Sequence, residues 1–216
     1  MSLKTDAVLE AVKQVRSEAP KRKFTQSLEV IINLKDIDMK KPEGRIQEAI
    51  ELPHVTGKKN RICVIATGEL ALKAKRAGAE LVISTTDLES LATDKKRQKK
   101  LVGTYDAFLA EAKMMPLVGK TMGAILGPRG KMPRPLPPTA NVKTQIERLR
   151  KTVNLRMRTH PVLQCAIGTE DMEDREIAEN LMAVVSRIQG RLKRGLKNIG
   201  SLYVKTTMSP PVRIKL

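Results

Sequence analysis

Tryptophan is absent from this chain, and phenylalanine and tyrosine occur twice each, at Phe24, Phe108, Tyr105 and Tyr203. So few ring faces argue against a platform on which successive unpaired bases stack. Cysteine is equally scarce. Cys63 and Cys165 lie far apart, each inside an apolar run ("RICVIAT", "VLQCAIG"), which fits buried thiols rather than a disulfide framework or a zinc site. The two histidines, His54 and His160, each stand beside a proline and lack the nearby Cys, Ser or carboxylate pattern that nucleophilic catalysis uses. No stretch approaches the ~20 apolar residues of a membrane span. Residues 1–20 alternate charged and apolar groups instead of forming the apolar core of a secretory signal. No membrane partner and a cytoplasmic location are therefore expected. "GAILGPRGKM" resembles a phosphate loop, but Ile125 and Met132 stand where its first glycine and its metal-binding hydroxyl would be needed. Neither an enzyme nor a cofactor is expected.

What the chain has in excess is positive charge. Lys and Arg number 41 against 23 Asp and Glu, a formal net charge of +18 over 216 residues. Such a surface repels itself unless a polyanion neutralises it, which makes nucleic acid the leading class of partner. A helix-turn-helix or zinc signature that would deliver a helix into the DNA major groove is not visible. Folded RNA, recognised by shape, phosphates and sugars, is the class that remains. An RNA-modifying or RNA-cleaving enzyme and a general DNA-compacting protein are the rival readings.

Along the chain, Val8, Ala11, Val12 and Val15 recur at helical spacing and predict a helix over 5–19, stopped by Pro20. "SLEVIINL" follows as a β-branched strand, "KKPEG" as a turn, and "RIQEAIELPH" is ambiguous between helix and strand. Residues 61–150 then alternate short apolar runs ("RICVIAT", "AELVIST", "YDAFLAEA") with helical patterns ("GELALKAKRAGA", "TDLESLATDKKRQKKL"), as in a parallel α/β sheet layered by helices. "GPRGKMPRPLPPT" reads as a rigid basic loop that cannot pair within a sheet interior. "NVKTQIERLRKTV" reads as helix, and "TVNLRMRTHPVLQCAIG" as two strands joined near His160 and Pro161. Thr169 is the expected cap of a long helix with Glu170, Asp171, Glu173, Asp174, Glu176 and Glu179 at its start and Arg187, Arg191, Lys193, Arg194 and Lys197 at its end. Those charges complement the helix macrodipole. The basic run "DKKRQKK", residues 94–100, fits either a solvated helix face or a phosphate contact.

Four stretches, "KRKFTQSLEV", "ELPHVTGKKNRICVIA", "GAILGPRGKMP" and "YVKTTMSPPVRI", together resemble the ribosomal protein L-one family of the mobile stalk of the large subunit, in its archaeal type. The resemblance runs nearly end to end. It implies an α/β protein of two domains: a discontinuous α+β RNA-binding domain built from residues 1–60 and 151–216, and an inserted Rossmann-like α/β domain over residues 61–150. Charge does not choose between them. Residues 61–150 carry 17 basic and 8 acidic groups and the remainder 24 and 15, which leaves +9 on each.

The last stretch poses a question of its own, because residues 206–211 carry no charge in a strongly basic protein. Phosphate contacts supply affinity without discrimination, whereas hydroxyls and backbone groups facing 2′-OH groups and base edges read a particular folded shape. The hydroxyls of Thr206, Thr207 and Ser209 are therefore expected to meet riboses and Met208 a sugar face, with Pro210 and Pro211 stiffening the loop. In bacterial members the loop resembles Thr-Met-Gly-Pro, and Ser209 here replaces that glycine, which bears on the φ angle available to it. By the resemblance, Phe24, Thr25, Ser27 and Glu29 lie beside that loop and share its RNA contact, and Lys23, Arg156, Arg158, His160 and Lys205 complete the expected RNA-binding set. It further implies three RNA partners for a monomer within the ribosome: large-subunit ribosomal RNA of the stalk, deacylated tRNA near the exit site, and the protein's own mRNA, in its leader or coding region, under translational repression.

Overall fold

The computed structural model describes residues 4–39, 46–58, 60–137, 140–157 and 159–215. In chain order the first elements are α1 (Thr5–Glu18), β1 (Ser27–Leu34), β2 (Gln47–Glu51), β3 (Ile62–Ile65), α2 (Gly68–Arg76), β4 (Leu81–Ile83), α3 (Thr85–Thr93) and α4 (Lys95–Thr104). There follow β5 (Ala107–Glu111), α5 (Met115–Arg129), β6 (Arg134–Leu136), α6 (Val142–Arg150), β7 (Thr152–Arg156), β8 (Val162–Thr169), α7 (Asp174–Arg191), β9 (Ile199–Thr206) and β10 (Val212–Ile214). They divide into two compact units, Met1–Lys58 with Lys151–Leu216, and Lys59–Arg150. The expected turn at "KKPEG", residues 40–44, lies outside the described residues.

The unit built from both chain ends centres on an antiparallel sheet of order β10-β9-β1-β8. β1 alternates strictly. Leu28, Val30, Ile32 and Leu34 are buried in one core with Val8, Val12 and Val15 of α1 and Ile177, Leu181, Val184 and Ile188 of α7. Each such side chain contributes about 1.5–3 kcal/mol on burial, which is what holds two helices to one face of the sheet. Glu29, Ile31 and Asn33 turn to the opposite face, and all three are half-buried. The ambiguous segment is a strand, because β2 pairs antiparallel with β7 over Gln47–Glu51 and buries Ile50. The two strands read around His160 do not form a hairpin: β7 joins β2, while β8 joins β1.

The long helix starts later than its acidic run suggests. Thr169 is still in strand, opposite Ser27, and Glu170 donates its backbone N–H to the Gln26 carbonyl at 3.0 Å while its carboxylate Oε1 accepts the Gln26 N–H at 2.9 Å. The cap is Glu173, in a reciprocal box with Glu176. At the other end α7 closes at Arg191, and its terminal cations are internal partners: Arg187 and Arg191 both reach Glu48.

The inserted unit is a parallel sheet of order β4-β3-β5-β6 with helices on both faces. Its central strand β3 is wholly buried. α2 and α6 close one core over Ile62 and Val64, while α3, α4 and α5 close the other over Cys63 and Ile65. The proline-rich stretch is more ordered than a loop. Pro128 lies in the last turn of α5, which ends at Gly130 in the left-handed region, φ 67°. Arg134–Leu136 forms β6, an edge strand, where a proline removes no interior ladder bond. The helical pattern of residues 86–101 is two helices broken at Asp94, whose carboxylate accepts the Arg97 N–H at 2.9 Å and so starts α4.

One glycine is demanded by the packing. Gly57 has φ 75°, and a Cβ there would stand 2.2 Å from Thr169 Oγ1. Gly57→Ala therefore combines a left-handed alanine with overpacking against the end of β8. It is expected to destabilise this unit by about 2–4 kcal/mol in chemical denaturation. A variant that unfolds with the parent would contradict that close approach.

Candidate nucleic-acid interface

The end of β9 and the approach to β1 are fastened together by one buried amide. Gln26, 1% exposed, accepts the Met208 N–H on Oε1 at 3.1 Å and donates from Nε2 to the Pro20 carbonyl at 2.9 Å. Its backbone is held by Glu170, as above. Gln26 lies within "KRKFTQSLEV" but is not among the site residues expected from the sequence. A signal was present: Gln26 stands in phase with Leu28, Val30, Ile32 and Leu34, so a strand continued backwards would bury it. A buried amide must be satisfied, and here the satisfaction sets the loop.

The loop itself carries a reciprocal clamp. Ser209 Oγ accepts the Thr206 N–H at 2.9 Å, Thr206 Oγ1 accepts the Ser209 N–H at 3.1 Å, and Ser209 Oγ donates to the Pro210 carbonyl at 3.1 Å. Thr206 is fully buried and Ser209 is 5% exposed. The expectation that these two hydroxyls face riboses is thus corrected, because the residues turn inward to satisfy their own backbone. Ser209 uses an ordinary φ; among the described non-glycine residues only Asp36 is positive, at 57°.

What the clamp turns outward is Thr207, Met208 and Pro210, all exposed. Thr207 Oγ1 accepts the Ser27 N–H at 3.2 Å and donates to the Ser27 carbonyl at 3.4 Å, which leaves one lone pair for an external donor. Lys23, Phe24 and Thr25 are exposed on the segment leading into β1. Phe24 is 50% and Met208 49% exposed, an unusual degree for large apolar side chains. Beyond them the uncovered sheet face continues with Ser27 and with Glu29 opposite Lys205.

Arg156 and His160 lie elsewhere. Asn33 near the end of β1 pairs with Val162, so the His160 turn is at the far end of β1 from Ser27. At about 3.3 Å per residue the two groups are roughly 20 Å apart along the strand. There Asn154, Arg156, Thr159, His160, Val162 and Gln164 line a concave site of about 440 Å³. Gln164, the register partner of Ile31, belongs to the same outer sheet face, which links the site to the loop. Arg158 lies outside the described residues.

The remaining chemistry-bearing groups are structural. His54 Nε2 lies 2.7 Å from Glu179 Oε2, and that bond, with Arg175 adding, holds the Glu179 carboxyl below its usual range. Burial pushes both thiols up to about 12, Cys165 with help from the Glu29 charge, and both are free. Among the described residues no cluster of His, Cys, Asp and Glu could hold a metal ion, and no helix is long and apolar enough to cross a membrane.

Comparison with known proteins places this sequence in a family. The sequence model of the Ribosomal protein L1p/L10e family matches residues 13–210. This chain belongs to the L1 family of ribosomal proteins. It is similar to the large ribosomal subunit protein uL1 of Methanothermobacter thermautotrophicus, 49% identical over 96% of this chain and 98% of that one. The uL1 of Methanothrix thermoacetophila is 48% identical over 95% and 97%, and that of Pyrococcus horikoshii 46% over 100% and 98%. Membership in the L1 family makes the chain a structural, non-enzymatic ribosomal protein of the cytoplasm, and its fold is the two-domain α/β fold that the resemblance implied.

Proposed function

We propose that the unit formed by both chain ends binds large-subunit ribosomal RNA at the mobile stalk near the tRNA exit site. There it assists release of deacylated tRNA, and away from the ribosome it represses translation by binding a copy of the stalk site on its own mRNA. The observation that carries this reading is the charge-free loop at 206–210, fastened by Gln26 and by the Thr206–Ser209 clamp, so that Thr207 is preset against Ser27 and Met208 against Gln26, two residues on from the exposed Phe24. A rigid, uncharged surface loses little entropy on binding and discriminates by shape, while the surrounding cations supply affinity.

Crosslinking the full chain in lysate and sequencing the attached RNA tests it. One segment of large-subunit RNA should dominate, with the protein's own message and tRNA as minor species. At about 0.2 M salt, duplex DNA should fail to compete, since non-specific phosphate binding weakens steeply there. RNA spread evenly over all transcripts, or equal competition by DNA, would overturn the reading. A shortened chain in which Asn60 is joined to Lys151 by a short linker should stay folded by circular dichroism. It should also keep its stalk-RNA affinity within about a hundredfold, 2.7 kcal/mol.

A further inference from the structure

The inserted unit carries cations that its own fold leaves unneutralised. In α4, Lys95, Lys96, Arg97, Lys99 and Lys100 are all exposed, while Gln98 and Val102 face inward. The Asp94 carboxylate is taken by the Arg97 N–H, and among the described residues no salt bridge joins Lys95, Lys96, Lys99 or Lys100 to a carboxylate. Some cations elsewhere are matched inside the fold, Arg187 and Arg191 by Glu48 and Arg194 by Asp36. Helix electrostatics make the placement less favourable still, because Lys95, Lys96 and Arg97 occupy the first turn, the positive end of the macrodipole. Local physics disfavours this arrangement, and the Asp94 cap, with the Asp87 carboxylate acting on Arg97, offsets it only in part against five cations.

The neighbouring helix shows a second departure. Gly119, Gly123 and Gly127 of α5 recur every fourth residue, offset from the buried Val118, Met122 and Leu126. None has a positive φ, and a Cβ at any of them would meet nothing within 4 Å. The fold therefore does not require these glycines, although glycine weakens a helix. α4 and α5 lie on the same face of the parallel sheet, and exposed Arg129 joins them by donating from Nη1 to the Lys99 carbonyl at 3.4 Å.

We propose that the outer surface of α4 and α5 is a second RNA-docking surface, which grips the sugar-phosphate backbone of an RNA double helix. Lys96, Lys99, Lys100 and Arg129 meet phosphates, and the glycine stripe lets the RNA backbone lie close against α5. Charge complementarity selects a polyanion. Tyr105 and Phe108, the unit's two rings, pack into its core, so a stacked single strand finds no platform here. Contacts of this kind add affinity and orientation without sequence discrimination. The inference rests on RNA being the partner proposed above.

The test uses the full chain and purified archaeal large-subunit ribosomal RNA. The triple variant Lys96→Gln, Lys99→Gln, Lys100→Gln should lower the slope of log affinity against log salt by roughly two to three units. In hydroxyl-radical footprinting it should lose one of two protected patches and keep the other. Gly123→Leu, with unchanged charge and open space around its Cβ, should weaken the same patch. Both variants should melt no lower than the parent, since the first removes three exposed lysines that join no salt bridge among the described residues, Lys96 among them at the helix N-terminus, and the second removes a helical glycine. If the parent binds and both variants match it in slope and footprint, the docking surface is refuted while the loop site stands. If the parent fails to bind this RNA, both readings fall together.

Discussion

Asn180→Leu should be among the most damaging single substitutions in the unit built from the chain ends. Asn180 is fully buried in α7, accepts the His54 N–H at 2.9 Å, and donates to the carbonyls of His54 at 3.2 Å and Ile167 at 2.8 Å. Its side chain ties α7 both to the segment after β2 and to β8. Leucine matches its size but strands one donor and two acceptors away from water. Each unsatisfied group costs about 1–3 kcal/mol, so a loss on the order of 3 to 5 kcal/mol is expected, a drop of roughly 10 °C in melting temperature. Asn180→Asp should do no better, because a carboxylate would face two carbonyl oxygens. Native-state hydrogen exchange at the His54 amide is the direct readout. Protection unchanged in Asn180→Leu would show that the segment is held by the His54–Glu179 contact instead.

The second large effect concerns RNA. Replacing Phe24 and Met208 together by alanine should weaken binding to the large-subunit RNA by about a hundredfold, 2.7 kcal/mol, since a few well-placed apolar groups dominate an interface. Stability should hardly change, because both side chains are about half exposed in the free protein. The salt slope should remain that of the parent, as no charge is altered. Arg156→Gln should behave oppositely, weakening binding to many RNAs alike and lowering the slope by about one unit. If the double variant binds like the parent, the outward side of the 206–210 loop is a turn and no more. If its loss appears only as a changed slope, the loop acts through the field of its neighbours and not by contact.

Much of the architecture could be read before any coordinates. The spacing of Val8, Ala11, Val12 and Val15 foretold α1 to within one residue, and the alternation in "SLEVIINL" foretold β1 and its inward face. The apolar runs of residues 61–150 placed a parallel sheet between helices. These patterns repeat over two to four residues, so a short stretch of chain carries them whole. Membership in the L1 family was legible in the same way, from motifs such as "GAILGPRGKMP" and "YVKTTMSPPVRI". Their residues stand close together along the chain.

The inside and outside of the candidate loop were not legible. Thr206, Thr207 and Ser209 look alike as small hydroxyl residues in one short run, yet the fold buries the first and third and exposes the second. That choice depends on Gln26, which meets Met208 from 182 positions away and Glu170 from 144, and on Ser27, which meets Thr207 from 180 away. Likewise the acidic run after Thr169 signalled a helix, but the start moved to Asp174 because Glu170 was claimed by Gln26 across the sheet. The sequence alone determined the periodic elements, the basic character and the family, since each is written in residue types and short spacings. Only the tertiary structure decided which hydroxyls face solvent, where α7 begins and how far His160 lies from the loop, because a polar group takes the partner that the fold brings within about 3 Å, wherever on the chain that partner stands.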